Sequence, residues 1–478
     1  MKQPSDPAGP PAGSDVPAVR LARELALLDL PPRRWTRLAD SGAETDVLVV
    51  GAGMCGLAAA IALKLKGIHD VMVVDGAEAG REGPWVTTAR METLRSPKHL
   101  TGPAQCIPSL TFRAWYEARH GAGGWAALGK IPRATWMDYL VWLRGAAGVE
   151  VRNGTHLRLL EPQGTHLRAH LEDVSGLRTI RARRVVLATG RLGAGGAARP
   201  DCAPPGLAPQ ATAHSSDPID FAALAGRRVT VIGGGASAWD NAATAAEAGA
   251  AAVDLMIRRP MLPQVNKSKG ALAPGFQWGL PELDDERRWR VLAYLYDNPS
   301  PPPVETVRRA MALPALRVRP GTTVDRVGDA GPGLVLHLAD GTSERTDFLI
   351  LGTGFRIDLA QRPELARLVP HVVTWGDAYT PPEALRREGL ERYPYLGPAF
   401  ELTPGPQGPA AIRSVYLFNI GAFASLGALS GDIPGIDAGS ARLAAAVTRS
   451  LFGEDFEGLF RGLEEFDERE LAGTPYLA

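Results

Sequence analysis

Two short glycine-rich stretches carry the clearest chemistry in this chain. The first reads Gly51-Ala-Gly53-Met-Cys-Gly56, the second Gly233-Gly-Gly235-Ala-Ser237-Ala238. In a G-x-G-x-x-G loop, or its variant ending in Ala, the first glycine makes a tight turn and the second lets the backbone approach a pyrophosphate. The third position lets the next helix pack closely on its sheet. Free N–H groups and the positive end of that helix then hold the negative charge. The residues that follow the two loops differ. Asp75 comes 19 residues after Gly56, where its carboxylate would accept hydrogen bonds from ribose hydroxyls. At the matching place after the second loop stand Arg258 and Arg259. A guanidinium there can bind a 2′-phosphate that a carboxylate would repel, so NADPH is expected in preference to NADH, against the alternative of two solvated surface charges.

The elements that must position these loops are legible around them. Thr45–Val50 is a short apolar run, as expected of a parallel strand covered on both faces, and it leads through the first loop into an alanine-rich helix near 57–66. Val71–Val74 is the next strand. Arg228–Ile232, the second loop, another alanine-rich helix and a strand at Val253–Ile257 repeat the pattern. Each unit continues into a hairpin, one turning at 161–164 and the other at Asp340-Gly341, and then into an apolar strand ending in Thr-Gly, at 189–190 and at Thr353-Gly354. The spacing predicts an α/β fold of two Rossmann-like dinucleotide-binding domains, with the second inserted into the first. The expected boundaries are 44–215 with 348–478 for the first domain and 216–347 for the second. Residues 1–43 would form a disordered, proline-rich tail and a packing helix from Ala18 to Leu30.

Composition narrows the partners. With 52 Lys+Arg against 52 Asp+Glu the chain has no formal net charge, which disfavours nucleic acid and anionic membrane surfaces. No apolar stretch approaches the length of a membrane span, and the N-terminal residues lack the pattern of a secretory signal. The three cysteines, Cys55, Cys106 and Cys202, lie far apart, so a cytoplasmic location is expected and neither a disulfide framework nor a cysteine metal site is. His166 and His170 fall on one face of a predicted strand, about 13 Å apart, too far to share a metal.

GAGMCG, the downstream Gly83-Pro84-Trp85, the two Thr-Gly strands and GGGASAWD together resemble the two-dinucleotide-domain flavoproteins, and within them the class B flavin monooxygenases. The resemblance spans about residues 44–435. It implies FAD in the first domain, NADPH in the inserted one, and insertion of one oxygen atom from O2 into a small-molecule substrate through a C4a-peroxyflavin. It also places Trp85, Thr353 and Gly354 among the cofactor contacts, and Asp432 of Ser430-Gly431-Asp432 near the flavin. The family signature ahead of the second glycine strand is incomplete: Ala208 and Gln210 stand where Phe and Gly are usual, though His214 is kept. His214 is read as a hinge or cofactor-side residue, or as a plain linker histidine. Arg95 and Lys98 occupy the place of the family's Asn-x-x-Lys stretch, so both are candidate catalytic cations, against the alternative of charges on a solvated loop.

Three other activities compete. A dithiol-flavin reductase needs two cysteines close enough to form a disulfide, which this chain lacks. An NADPH reductase or oxidase without oxygen insertion needs no special residue, so it stays open at this level, and a redox sensor would make the second loop superfluous. The substrate pocket is expected between the domains, lined by the aromatic Thr101–Trp142 region and by the long 266–303 insertion, a candidate lid or substrate-specificity element. Trp136, Tyr139 and Trp142 recur at helical spacing and read as packing. Assembly into a homo-oligomer is left open.

Overall fold

A computed structural model describes residues 16–476; the expected tail, 1–15, lies outside them. The packing helix spans Val16–Leu27 and is fixed by Glu24, which accepts the Ser109 backbone N–H at 2.9 Å. β1 (Thr45–Val50) and β2 (Val71–Val74) flank the helix Met54–Lys64, and β3 (Val151–Arg152) follows two further helices, Phe112–Ala127 and Arg133–Ala146. β4 (His156–Gln163) and β5 (His166–Asp173) form the expected hairpin, and β6 (Gly176–Leu187) returns beside β1. The order is β3-β2-β1-β6-β5-β4, parallel on the β1 side and antiparallel through the hairpin. β1 is buried along its whole length, which explains why its sequence does not alternate.

From here the chain crosses to the second unit. β7 (Gly195–Ala197) is the outgoing strand; β8 (Thr212–His214), β9 (Arg228–Ile232), β10 (Ala252–Ile257) and β11 (Leu316–Pro320) belong to a second sheet. β12 (Val324–Asp329), β13 (Leu334–Leu338) and β14 (Ser343–Thr346) make a small antiparallel sheet that contains the second hairpin. β15 (Phe348–Leu351) then completes the order β11-β10-β9-β15-β8. β16 (Phe355–Ile357) is the incoming strand and pairs antiparallel with β7, so exit and return run side by side. β17 (Val415–Tyr416) adds to the first sheet beside β6.

The insertion of one unit into the other is thus present, but its edges lie outside 216–347. β8 and β15 pair with each other and β15 with β9, so both belong to the second sheet; the crossing points are the β7 and β16 strands. An apolar run ending in Thr-Gly looks alike in both units, and nothing local in 348–351 says which sheet it joins. Phe112, Trp115, Trp125, Trp136 and Tyr139 are buried in the first unit's core, as helix packing predicts. Among the described residues no helix is long and apolar enough to cross a membrane.

Candidate functional site

The first glycine loop is held by contacts that leave no room for side chains. Gly51 has φ +99°, its N–H donates to Val74 O at 2.8 Å, and a Cβ there would lie 2.5 Å from the Ala188 carbonyl oxygen. A Cβ at Gly56 would lie 1.8 Å from Gly51 O, so only glycine lets the helix begin this close to the strand. Gly53 caps the N-terminus of Met54–Lys64. Across from it is Gly83, whose Cα is 3.7 Å from where a Gly53 Cβ would sit, so the two glycine backbones pass close to each other. Trp85 lies beside Gly83, packed edge-on against Trp136 at 6.2 Å, with its carbonyl accepting from Arg133. Asp75 accepts the Ala52 N–H on one carboxylate oxygen and the Ala77 N–H on the other, each at 2.7 Å. The carboxylate therefore orders the loop while keeping lone pairs for a ribose.

The returning segment reaches the same place. Cys55 Sγ donates to Ser430 O at 3.4 Å, Ser430 Oγ donates to Asn419 O at 2.7 Å, and Asp432 lies 3.5 Å from Arg191. Gly51, Gly53, Gly56, Asp75, Trp85 and Asp432 are thus brought near the N-terminus of Met54–Lys64. Burial pushes the Cys55 thiol up to about 12, with Asp432 adding to the rise. A thiol held protonated is inert, and all three cysteines are free.

The second loop repeats the geometry with one change. Gly233 donates to Met256 O at 3.0 Å, and a Cβ on it would lie 2.2 Å from Gly352 O. Ala238 is fully buried against Gly352, where an added Cβ would come within 2.5 Å of the Ala238 methyl. The missing side chain at 352 makes room for alanine at the third position. Gly235 caps the helix Ala236–Glu247 with nothing within 4 Å of its Cβ position, and Ser237 is exposed in the first turn. At the end of β10, Arg258 and Arg259 are exposed, and neither has an ion-pair partner among the described residues.

Thr353, Gly354 and His214 belong to the crossover. Thr353 Oγ1 donates to Ala198 O, and Gly354 O accepts the Ala198 N–H at 2.9 Å. His214 is fully buried at the end of β8, its Nδ1 2.7 Å from Ser216 Oγ and its ring edge-on to Phe355. Burial lowers its pKa, so the ring is neutral. Of the readings open at the sequence level, this geometry matches a histidine of the crossover.

The two candidate catalytic cations have other partners. Lys98 Nζ donates to Trp125 O at 2.6 Å and to Leu128 O, and lies 4.6 Å from the Trp125 ring centroid. It clasps the C-terminal end of Phe112–Ala127, where cations suit the helix dipole. Arg95 reaches across to the second unit and donates to Asp240 at 3.1 Å. Asp240 is buried, which raises its pKa, and it also accepts from Thr306 at 3.1 Å. Arg309 donates to Arg90 O at 3.0 Å and pairs with Glu247, so Arg95, with its side chain 42% exposed, sits at the edge of a polar contact between the units.

Sequence reasoning missed where the insertion docks. Residues of the helix Pro274–Gly279 cross to the first unit's returning segment: Gln277 donates to Pro434 O at 3.0 Å, while Arg442 donates to Trp278 O and to Glu282. In the helix Asp285–Asp297, Arg288 donates to Ser425 O and Trp289 packs 5.7 Å from Trp375. The 274–297 segment therefore lies against the returning segment of the first unit. A cavity of about 440 Å³ lined by Asp358, Asp377, Glu388, Glu391 and Arg392 takes no residue from either loop.

Comparison with known proteins agrees with this geometry. The family described as pyridine nucleotide-disulphide oxidoreductase matches residues 45–273. The FAD-dependent urate hydroxylase of Xanthomonas campestris pv. campestris is 40% identical over 441 residues, covering 91% of this chain and 92% of that protein. Among solved structures, ornithine hydroxylase from Pseudomonas aeruginosa superposes with a TM-score of 0.67 at 18% identity, over 85% of this chain and 99% of that one. L-lysine 6-monooxygenase from Pseudomonas syringae gives 0.66 at 17%, with the same coverage. These two likenesses speak for the fold. The chain belongs to the class B flavin-dependent monooxygenases, and it is an oxidoreductase acting on a small molecule with O2. A relative that extends over nearly all of it is a urate hydroxylase.

Proposed function

We propose that this enzyme hydroxylates urate, using FAD in the first unit and NADPH in the second. The observation that carries the substrate is the 40% identity to a urate hydroxylase over 91% of the chain. The residues fit the cofactors. The Gly51–Gly56 loop would offer its backbone N–H groups to a pyrophosphate, and the N-terminus of Met54–Lys64 favours its charge. Asp75 orients the ribose, and Arg258 and Arg259 hold the 2′-phosphate of NADPH. When bound, FAD supplies two-electron chemistry between NADPH and O2. Trp85, Trp136 and the docked 274–297 segment exclude water from the reacting centre, which limits unproductive loss of reducing equivalents as peroxide. Residues 198–354 form the nicotinamide unit, and a cytoplasmic location suits three free thiols.

The test is turnover of the FAD-loaded protein with NADPH under 18O2, with and without urate. Urate-stimulated NADPH oxidation and a hydroxylated product carrying one 18O are expected. Equal NADPH consumption in both arms, with all of it recovered as hydrogen peroxide, would replace this reading with an oxidase.

A further inference from the structure

The helix Ile436–Glu464 runs for 29 residues and buries Ile436, Leu443, Ala444, Val447 and Leu451 in the first unit's core. Beyond Leu451 another face turns apolar and has no cover. Phe452, Phe456 and Phe460 are 49%, 45% and 45% exposed, and Leu463 is 68% exposed. Residues four apart share one face of a helix, and the rings touch in sequence: Phe452 and Phe456 at 6.1 Å, Phe456 and Phe460 at 5.8 Å and nearly parallel. Just past the end of the helix, Phe466 is 66% exposed.

Monomers rarely leave a contiguous apolar patch of more than a few hundred Å². The exposed parts of these side chains come to on the order of 500 Å², a large share of the roughly 800 Å² per partner that a stable complex buries. The pattern is also self-complementary. A two-fold axis at Phe456 sets Phe452 opposite Phe460 of a second copy and Phe456 opposite itself. The same axis sets Arg449 level with Leu463 and Glu464 of that copy, to within one residue's rise of about 1.5 Å. Arg449 and Glu464 are both exposed and have no ion-pair partner among the described residues. Residues 449–470 hold eight acidic side chains against three arginines, which disfavours an anionic lipid surface as the occupant.

We infer that two copies of this chain pair through antiparallel Ile436–Glu464 helices centred on Phe456. The interface is isologous, each copy offering the same strip to the other. Sedimentation velocity on the FAD-loaded full chain, across the micromolar range, tests it. Wild type is expected at twice 50.8 kDa and Phe456→Glu at 50.8 kDa, with bound flavin and melting temperature unchanged in the variant. Arg449→Glu or Glu464→Arg alone should raise the dimer dissociation constant several-fold, and the double exchange should restore it. A wild-type monomer at every concentration, or a Phe456→Glu dimer as tight as wild type, would overturn the inference. Loss of affinity in the double exchange would overturn the antiparallel register. Phe456-dependent flotation of a monomeric protein with phosphatidylglycerol vesicles would assign the strip to a membrane instead.

Discussion

Replacing Arg258 and Arg259 by alanine isolates the one place where the two loops predict different ligands. Both side chains are exposed at the end of β10 and neither is engaged by a carboxylate among the described residues, so the substitution removes no internal contact. A charge-assisted hydrogen bond contributes about 1.5–3 kcal/mol. Screening at an exposed site reduces what each guanidinium delivers, so about 2–3 kcal/mol is expected for the pair. At a factor of ten for about every 1.4 kcal/mol, kcat/KM for NADPH should fall roughly 30- to 140-fold. NADH has no 2′-phosphate, and its kcat/KM should stay within about twofold. The double lysine variant keeps the charge but loses the planar fork, so it should fall between the two. Initial rates with each nucleotide at saturating substrate and oxygen give the ratio, and calorimetry with NADP+ and NAD+ separates binding from hydride transfer. An unchanged NADPH-to-NADH ratio in the double alanine variant would refute the role given to these arginines.

Further variants probe stability and the reassigned lysine. Arg183 is fully buried and pairs with Asp46 at 2.8 Å, Asp455 at 2.6 Å and Glu454 at 2.8 Å, so Arg183→Met should destabilise by about 3–5 kcal/mol in urea unfolding; a loss under about 1 kcal/mol would contradict the network's importance. Hydrogen bonds from the Arg228 side chain and backbone hold the Asp347 carboxyl below its ordinary range. Its stabilisation is therefore present above the unfolded carboxylate pKa and lost as pH falls through the depressed one, below about pH 4. Melting curves of Asp347→Asn should be flatter than wild type across that window, and superimposable acid limbs would exclude the linkage. Lys98→Met should lower stability by about 1–3 kcal/mol while leaving the fraction of NADPH coupled to product unchanged. Loss of coupling at unchanged stability would return Lys98 to the chemistry.

The sequence and the structure part company in an orderly way. The loops, the buried β1 and both hairpins follow from short-range constraints: a glycine that must sit at φ +99°, an apolar run with no alternation, a turn between alternating strands. The partners of Arg95 and Lys98 do not. A cation 145 residues from its carboxylate, as Arg95 is from Asp240, looks in sequence like any loop charge. The Lys98 clasp depends on where the Phe112–Ala127 helix ends in space, and the seating of Gln277 on Pro434 O spans 157 residues. The expected unit edges at 216 and 347 stop just short of β8 and β15 for a related reason, since sheet membership of β15 is set by which neighbour it meets.

The paired β7 and β16 strands have a consequence for how the molecule could be taken apart. The chain leaves the first unit at Ala197 and re-enters it at Phe355, two residues in register on neighbouring strands, roughly 4.8–5.5 Å apart. A gap that small is bridged by a two-residue turn. Everything between could be cut out or exchanged as a cassette, and all seven strands of the first sheet would remain on the shortened chain.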